Sequence, residues 1–157
     1  MTRKVIASLL LLAFLITGCN EEKDLEDSKT AMIKKTNPSP TLISTDSKKQ
    51  RDLIESIKSE VASVKDIYDV AVVKGKKDTL IVYKVKHLRR FNMKKIEKNV
   101  LKQLEKKYPK ESFTVSSDYK IFLEAIKLKE KMEDPKFSDK KAEKELKDII
   151  KLTEELT

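Results

Sequence analysis

A single cysteine, Cys19, stands in the whole chain. One thiol excludes a disulfide framework and a thiolate metal cluster. There are two glycines, Gly18 and Gly75, too few for the glycine-rich loops that cradle phosphates. His87 is the only histidine; with no cysteine or second histidine nearby it is a poor metal ligand and reads as an exposed loop residue. Tryptophan is absent. The longest uncharged apolar run, Val5 to Ile16, falls short of the roughly 20 residues that a membrane-spanning helix needs.

What precedes the cysteine is informative. Arg3 and Lys4 lead into that apolar run, and Leu15-Ile16-Thr17-Gly18-Cys19 closes it. A basic start, a short apolar stretch and small residues at a cleavage point describe an export signal. The ending resembles the lipobox of bacterial lipoproteins. That resemblance implies a diacylglyceryl thioether on Cys19, removal of residues 1–18, and attachment to the outer face of the cell membrane.

The full chain carries a formal charge of +9, and without Arg3 and Lys4 the remainder carries +7. The excess is nearly all lysine, which suits an anionic lipid surface or an anionic wall polymer as partner. Residues 19–47 read as a lipidated flexible tether. Asn20 to Asp27 is highly charged, and Asn37-Pro38-Ser39-Pro40 forbids helix. Such a composition buries too little apolar area to offset its ordering entropy.

The folded part starts near Ser47. Ile54, Ile57, Val61 and Val64 recur at helical spacing and predict a helix from about Lys48 to Val64. Ile67–Val73 and Thr79–Val85 are β-branched runs around a short link containing Gly75, so a β-hairpin is expected, with Gly75 supplying a positive φ in its turn. Asn92 stands where a helix cap is needed, ahead of a stripe of Met93, Ile96, Val100 and Leu104, and Tyr108-Pro109 ends that helix. Ser112–Ser116 alternates as a half-buried strand, and Asp118 caps a third helix that stops at Asp134-Pro135. Ser138 or Asp139 opens the last helix. The expectation is an α+β fold: an α-β-β-α-β core with a three-stranded sheet, then two C-terminal helices. Its domain occupies 48–133, and 134–157 forms the final helix. The hairpin strands are apolar on both sides, so the second sheet face needs cover, from the C-terminal pair or from a partner protein in a helix-in-groove contact.

These residues carry a resemblance. The lipobox, the polar spacer and the α-β-β-α-β order resemble the sporulation lipoprotein family of spore-forming Firmicutes, the YhcN/YlaJ type, closest to the YlaJ branch. The stretches that carry it are Met93–Lys98, Leu104–Pro109 and Phe113–Asp118, with Ile67, Val70, Ala71 and Val72 matching the first strand. Tyr119 stands where relatives often have proline. The resemblance implies a membrane-attached protein of the forespore or dormant spore with a part in germination or outgrowth, and it carries no catalytic residues over.

The residues themselves present no catalytic constellation. Glu21-Glu22 and Glu154-Glu155 read as solvated charge, and Ser116-Ser117-Asp118 lacks a base. No cofactor and no metal are expected, and the class is non-enzymatic. The rivals are a wall-associated hydrolase and a ring-forming envelope module. Lys94, Lys98, Lys102 and Lys106 stand four apart, in one row along a helix. That row is the candidate contact for anionic lipid or wall polymer. Nucleic acid is not an expected partner, because the export signal places the domain outside the cytoplasm and no aromatics interleave with the lysines.

Overall fold

The computed structural model describes residues 35–43 and 47–156. The expected signal segment, Cys19 and most of the expected tether lie outside the described residues.

Helix α1 spans Lys48–Ala62 and buries Ile54, Ile57 and Val61. Ser47 caps it, its hydroxyl accepting from Gln50 N at 3.3 Å. The helix stops two residues short of Val64, where Ser63 closes the last turn on Ser59 and Glu60. Strands β2 (Ile67–Lys74) and β3 (Asp78–Val85) form the hairpin. A short 3₁₀ turn, His87–Asn92, leads into α2 (Met93–Lys107), which buries Ile96, Val100 and Leu104. Strand β4 (Ser112–Ser116) follows, then α3 (Tyr119–Met132) and α4 (Asp139–Glu155).

The α+β class holds, but the sheet has four strands, in the order β1-β2-β3-β4. The additional strand, β1, is Thr41–Leu42 and pairs parallel to β2 opposite Val73 and Lys74. It lies inside the stretch expected as tether. Two residues are too few to show alternation in sequence. Burial fixes them instead: Ile43 is buried on one side of the sheet while Leu42 packs on the other, and Ile43 N donates to Lys74 O at 2.8 Å.

Three layers result. On one face α1 and α2 cover Val70, Val72, Ile81, Tyr83, Val85 and Val115. On the other, α3 and α4 cover Ala71, Val73, Leu80 and Val82 with Phe122, Leu128, Leu146 and Ile149. The two C-terminal helices thus pack on the core, which is why both hairpin strands are apolar on both sides. Each buried Val, Leu, Ile or Phe side chain among these contributes about 1.5–3 kcal/mol.

Two local expectations are corrected. Gly75 has no positive φ. Its role is space: a Cβ there would lie 2.8 Å from Leu146 Cδ2 and 3.0 Å from a carboxylate oxygen of Glu143. Asn92 occupies the cap position of α2 without capping it, because the preceding 3₁₀ turn holds its backbone near φ −102°, ψ 5°, away from the extended geometry a capping side chain needs.

Candidate functional site

One end of the sheet concentrates what is unusual in this molecule. There β2 begins, β3 and β4 finish, and the N-terminal segment joins the domain. Asp69 near the start of β2 is 1% exposed. Its Oδ2 lies 3.1 Å from Lys84 Nζ on β3. The same carboxylate accepts from Thr36 N at 2.7 Å, Thr36 Oγ1 at 2.8 Å and Asn37 N at 3.0 Å. Burial pushes the Asp69 carboxyl up, but these donors and the lysine outweigh it and hold it below its ordinary value. Asn37 takes φ 41°, a left-handed conformation that asparagine tolerates. Lys84 Nζ also sits 4.3 Å from the centre of the Phe122 ring. The cluster is a clamp for the incoming chain.

A register shift between Ile67 and Asp69 puts Ile67 and Val70 in the α1/α2 core although they are three apart. Asp69 alternates with Ala71 and Val73, and Lys84 with Leu80 and Val82, so both lie on the α3/α4 face, where Phe122 packs.

Beside the clamp is a small polar recess of about 200 Å³, lined by Met93, Lys94, Glu97, Ser117, Asp118 and Leu156 among others. Ser117 N and Ser117 Oγ each donate to Glu97 Oε2 at 3.3 Å. Tyr83 is fully buried beneath. Burial first, and then the Glu97 charge, push its phenol up, against a smaller opposing pull from Ser117. Its hydroxyl makes no hydrogen bond of acceptable geometry among the described residues. Asp118 caps α3, its Oδ1 accepting from Lys120 N at 2.7 Å and Ile121 N at 3.1 Å. Ser116, Ser117 and Asp118 are therefore spent on structure.

Across the domain, a groove of about 730 Å³ runs between β1, the start of α1 and the end of α3. Arg51, Asp52, Glu55, Lys129 and Glu133 ring it with charge of both signs.

The four expected contact residues, Lys94, Lys98, Lys102 and Lys106, are all exposed along α2. Lys107, next to Lys106, pairs with Glu60 at 2.6 Å. Glu97, on the same helix, accepts from Ser117. His87 is exposed on the 3₁₀ turn. Among the described residues no group of three or more potential metal ligands converges, and no helix is long and apolar enough to cross a membrane.

Sequence reasoning passed over two features. The Asp69–Lys84 pair gave no signal, since charged residues in β runs read as solvent-facing. The second is Leu88 and Phe91, 87% and 99% exposed. A signal existed there: neither residue fits the Met93-Ile96-Val100-Leu104 stripe that follows. Comparison with family models, with curated proteins and with solved structures finds no match to this chain.

Proposed function

We propose that this chain is a membrane-anchored, non-enzymatic lipoprotein of the spore or forespore envelope, with an accessory or interaction role in germination or outgrowth. The observation that carries the reading is Leu15-Ile16-Thr17-Gly18-Cys19 behind Arg3, Lys4 and the apolar run. Lipidation of Cys19 attaches the chain to the extracytoplasmic face. The spore assignment rests on the resemblance of Met93–Lys98, Leu104–Pro109 and Phe113–Asp118 to the sporulation lipoproteins. A non-catalytic role is supported by how the polar side chains are used. Asp69 clamps the incoming segment, Glu97 holds Ser117, and Asp118 caps α3. Once anchored, the domain stays close to an anionic bilayer or wall polymer, and the exposed row Lys94, Lys98, Lys102 and Lys106 is the surface that meets it. Each lysine at such a surface adds about 1 kcal/mol.

Fractionation tests this reading. Wild-type protein is expected in the membrane fraction of dormant spores, processed at Cys19 and resistant to a salt wash. Cys19→Ala is expected to stay unprocessed or to be released. A Cys19→Ala chain that matures and stays membrane-bound would overturn the anchor. Wild-type protein found only in vegetative membranes would overturn the spore assignment.

A further inference from the structure

We infer that the 3₁₀ turn His87–Asn92 is a membrane-inserting tip, which seats the domain end-on in an anionic bilayer through Leu88 and Phe91. The inference rests on the membrane-anchored reading above and adds to it a second, non-covalent contact.

Five large hydrophobic side chains are exposed among the described residues: Leu88, Phe91, Tyr119, Leu123 and Leu156. They are not scattered. Leu88 and Phe91 lie on the turn that follows β3. Tyr119 opens α3 just after β4. Leu156 follows α4 and borders the same recess as Met93 and Lys94. Four of the five therefore share one end of the sheet, and Leu123 sits one turn further along α3. Isolated exposed apolar residues are ordinary, but a cluster of them marks a contact surface.

The charge around the cluster selects its occupant. Lys86, Arg89, Arg90, Lys94, Lys95 and Lys120 surround it, all of them exposed. Of the nearby carboxylates, Asp66 pairs with Arg89 at 3.0 Å, Glu97 and Asp118 accept from Ser117 and from the start of α3, and the exposed Glu154 and Glu155 lie on the Leu156 side, away in sequence from the cations that flank Leu88 and Phe91. Exposed phenylalanine and leucine ringed by cations fit the boundary between acyl chains and anionic headgroups. An apolar protein partner would have to desolvate those cations without matching them.

The path of the chain gives independent support. Thr36 and Asn37 are bound to Asp69, near the start of β2, and Ile67 pairs with Val85, two residues before the 3₁₀ turn. The segment leading back to Cys19 thus joins the domain at the same end as Leu88 and Phe91. An anchor on Cys19 and a tip at this end act on one bilayer without turning the domain over. Seated this way, Lys94 and Lys98 lie nearest the headgroups, and Lys106, about 18 Å further along α2 at ~1.5 Å per residue, is beyond a Debye length of about 10 Å. End-on seating thus narrows the lysine contact proposed above to the first half of the row.

The absence of tryptophan makes the test direct. The full chain carrying Phe91→Trp has a single indole emitter. It is reconstituted with phosphatidylglycerol or phosphatidylcholine vesicles, with and without brominated acyl chains, and Lys140→Trp at the start of α4 serves as the control position. The expected result is a blue shift and bromine quenching for Phe91→Trp on phosphatidylglycerol, much weaker on phosphatidylcholine, with Lys140→Trp unchanged. In a Cys19→Ala background, Leu88→Ala with Phe91→Ala is expected to weaken partitioning into phosphatidylglycerol vesicles at least about tenfold. Both residues are solvent-exposed, so the fold and its circular dichroism should be unaffected. A water-exposed Phe91→Trp spectrum on vesicle-bound protein would overturn the tip. A blue shift that grows with protein concentration in the absence of lipid would also overturn it, in favour of a second copy as the occupant. Membrane retention that ignores Cys19, together with lipid quenching at position 91, would count against the anchor and leave the tip standing.

Discussion

Asp69 Oδ2 and Lys84 Nζ face each other at 3.1 Å across the hairpin, with side chains 0% and 10% exposed. The pair does two things. It neutralises a charge inside the sheet layer, and it presents carboxylate oxygens to which Thr36 and Asn37 bind. Breaking a buried pair costs more than the pair's own net contribution, because the remaining partner keeps its desolvation penalty.

The acid response follows from the lowered Asp69 value. A carboxyl whose folded value lies below its unfolded value of about 3.9 stabilises the protein fully above that pH. The contribution is lost as pH falls through the folded value. Asp69→Asn should therefore cost about 3 kcal/mol at neutral pH. The gap between wild type and variant should narrow below about pH 4. Urea denaturation of both chains from pH 7 to pH 2.5 measures this. A gap that stays constant with pH would remove Asp69 from the acid response.

The same substitution should loosen β1 before the rest of the sheet. Ile43 N donates to Lys74 O, and its protection depends on the segment that Asp69 holds. Hydrogen exchange is expected to accelerate at Ile43 in Asp69→Asn while amides in β3 remain protected. Uniform acceleration would mean that the clamp and the core open together.

Gly75→Ala is expected to cost about 1–2 kcal/mol. The new methyl meets Leu146 Cδ2 at 2.8 Å, and Leu146 is buried. Because the conflict is steric and not conformational, Leu146→Ala in the same chain should make the two costs sub-additive. Thermal melts of the single and double variants read this out; strictly additive costs would point to backbone strain at position 75.

Tyr83→Phe should leave stability within about 1 kcal/mol of wild type or raise it. The hydroxyl it removes is buried without a well-formed hydrogen bond. In the native wild type this phenol should stay protonated past the ordinary tyrosine range of about 10, since burial and the Glu97 charge both oppose its ionisation. Ultraviolet titration of wild type against Tyr83→Phe tests that. Equal tyrosinate absorbance in the two native proteins is the expected outcome up to the pH at which the chain unfolds.

A stop after Ser138, which removes α4, should prevent folding. It strips Ala142, Leu146 and Ile149 from the cover over Val73, Leu80 and Val82. The milder Leu146→Ala is expected to cost about 2–5 kcal/mol. Circular dichroism with urea titration distinguishes the two. A truncated chain that still unfolds cooperatively would mean the sheet needs only α3 on that face.

The order of elements was written in local pattern. The 3.6-residue stripes of α1 to α4, the β-branched hairpin and the alternating Ser112–Ser116 strand each declare themselves within a few residues, because backbone periodicity decides which side chains share a face. The cap Asp118 was equally local. Tertiary structure decided what depends on distant partners. Thr41–Leu42 becomes a strand only because Val73 and Lys74 offer it an edge. Gly75 is required by Leu146, 71 positions away, and not by its own turn. Asp69 and Lys84 are tolerated inside because they pair with each other and the arriving Thr36 and Asn37 donate to the carboxylate. Leu88 and Phe91 stand out as exposed only once every other apolar stripe has found its core, since exposure belongs to the packed whole and not to any window of sequence.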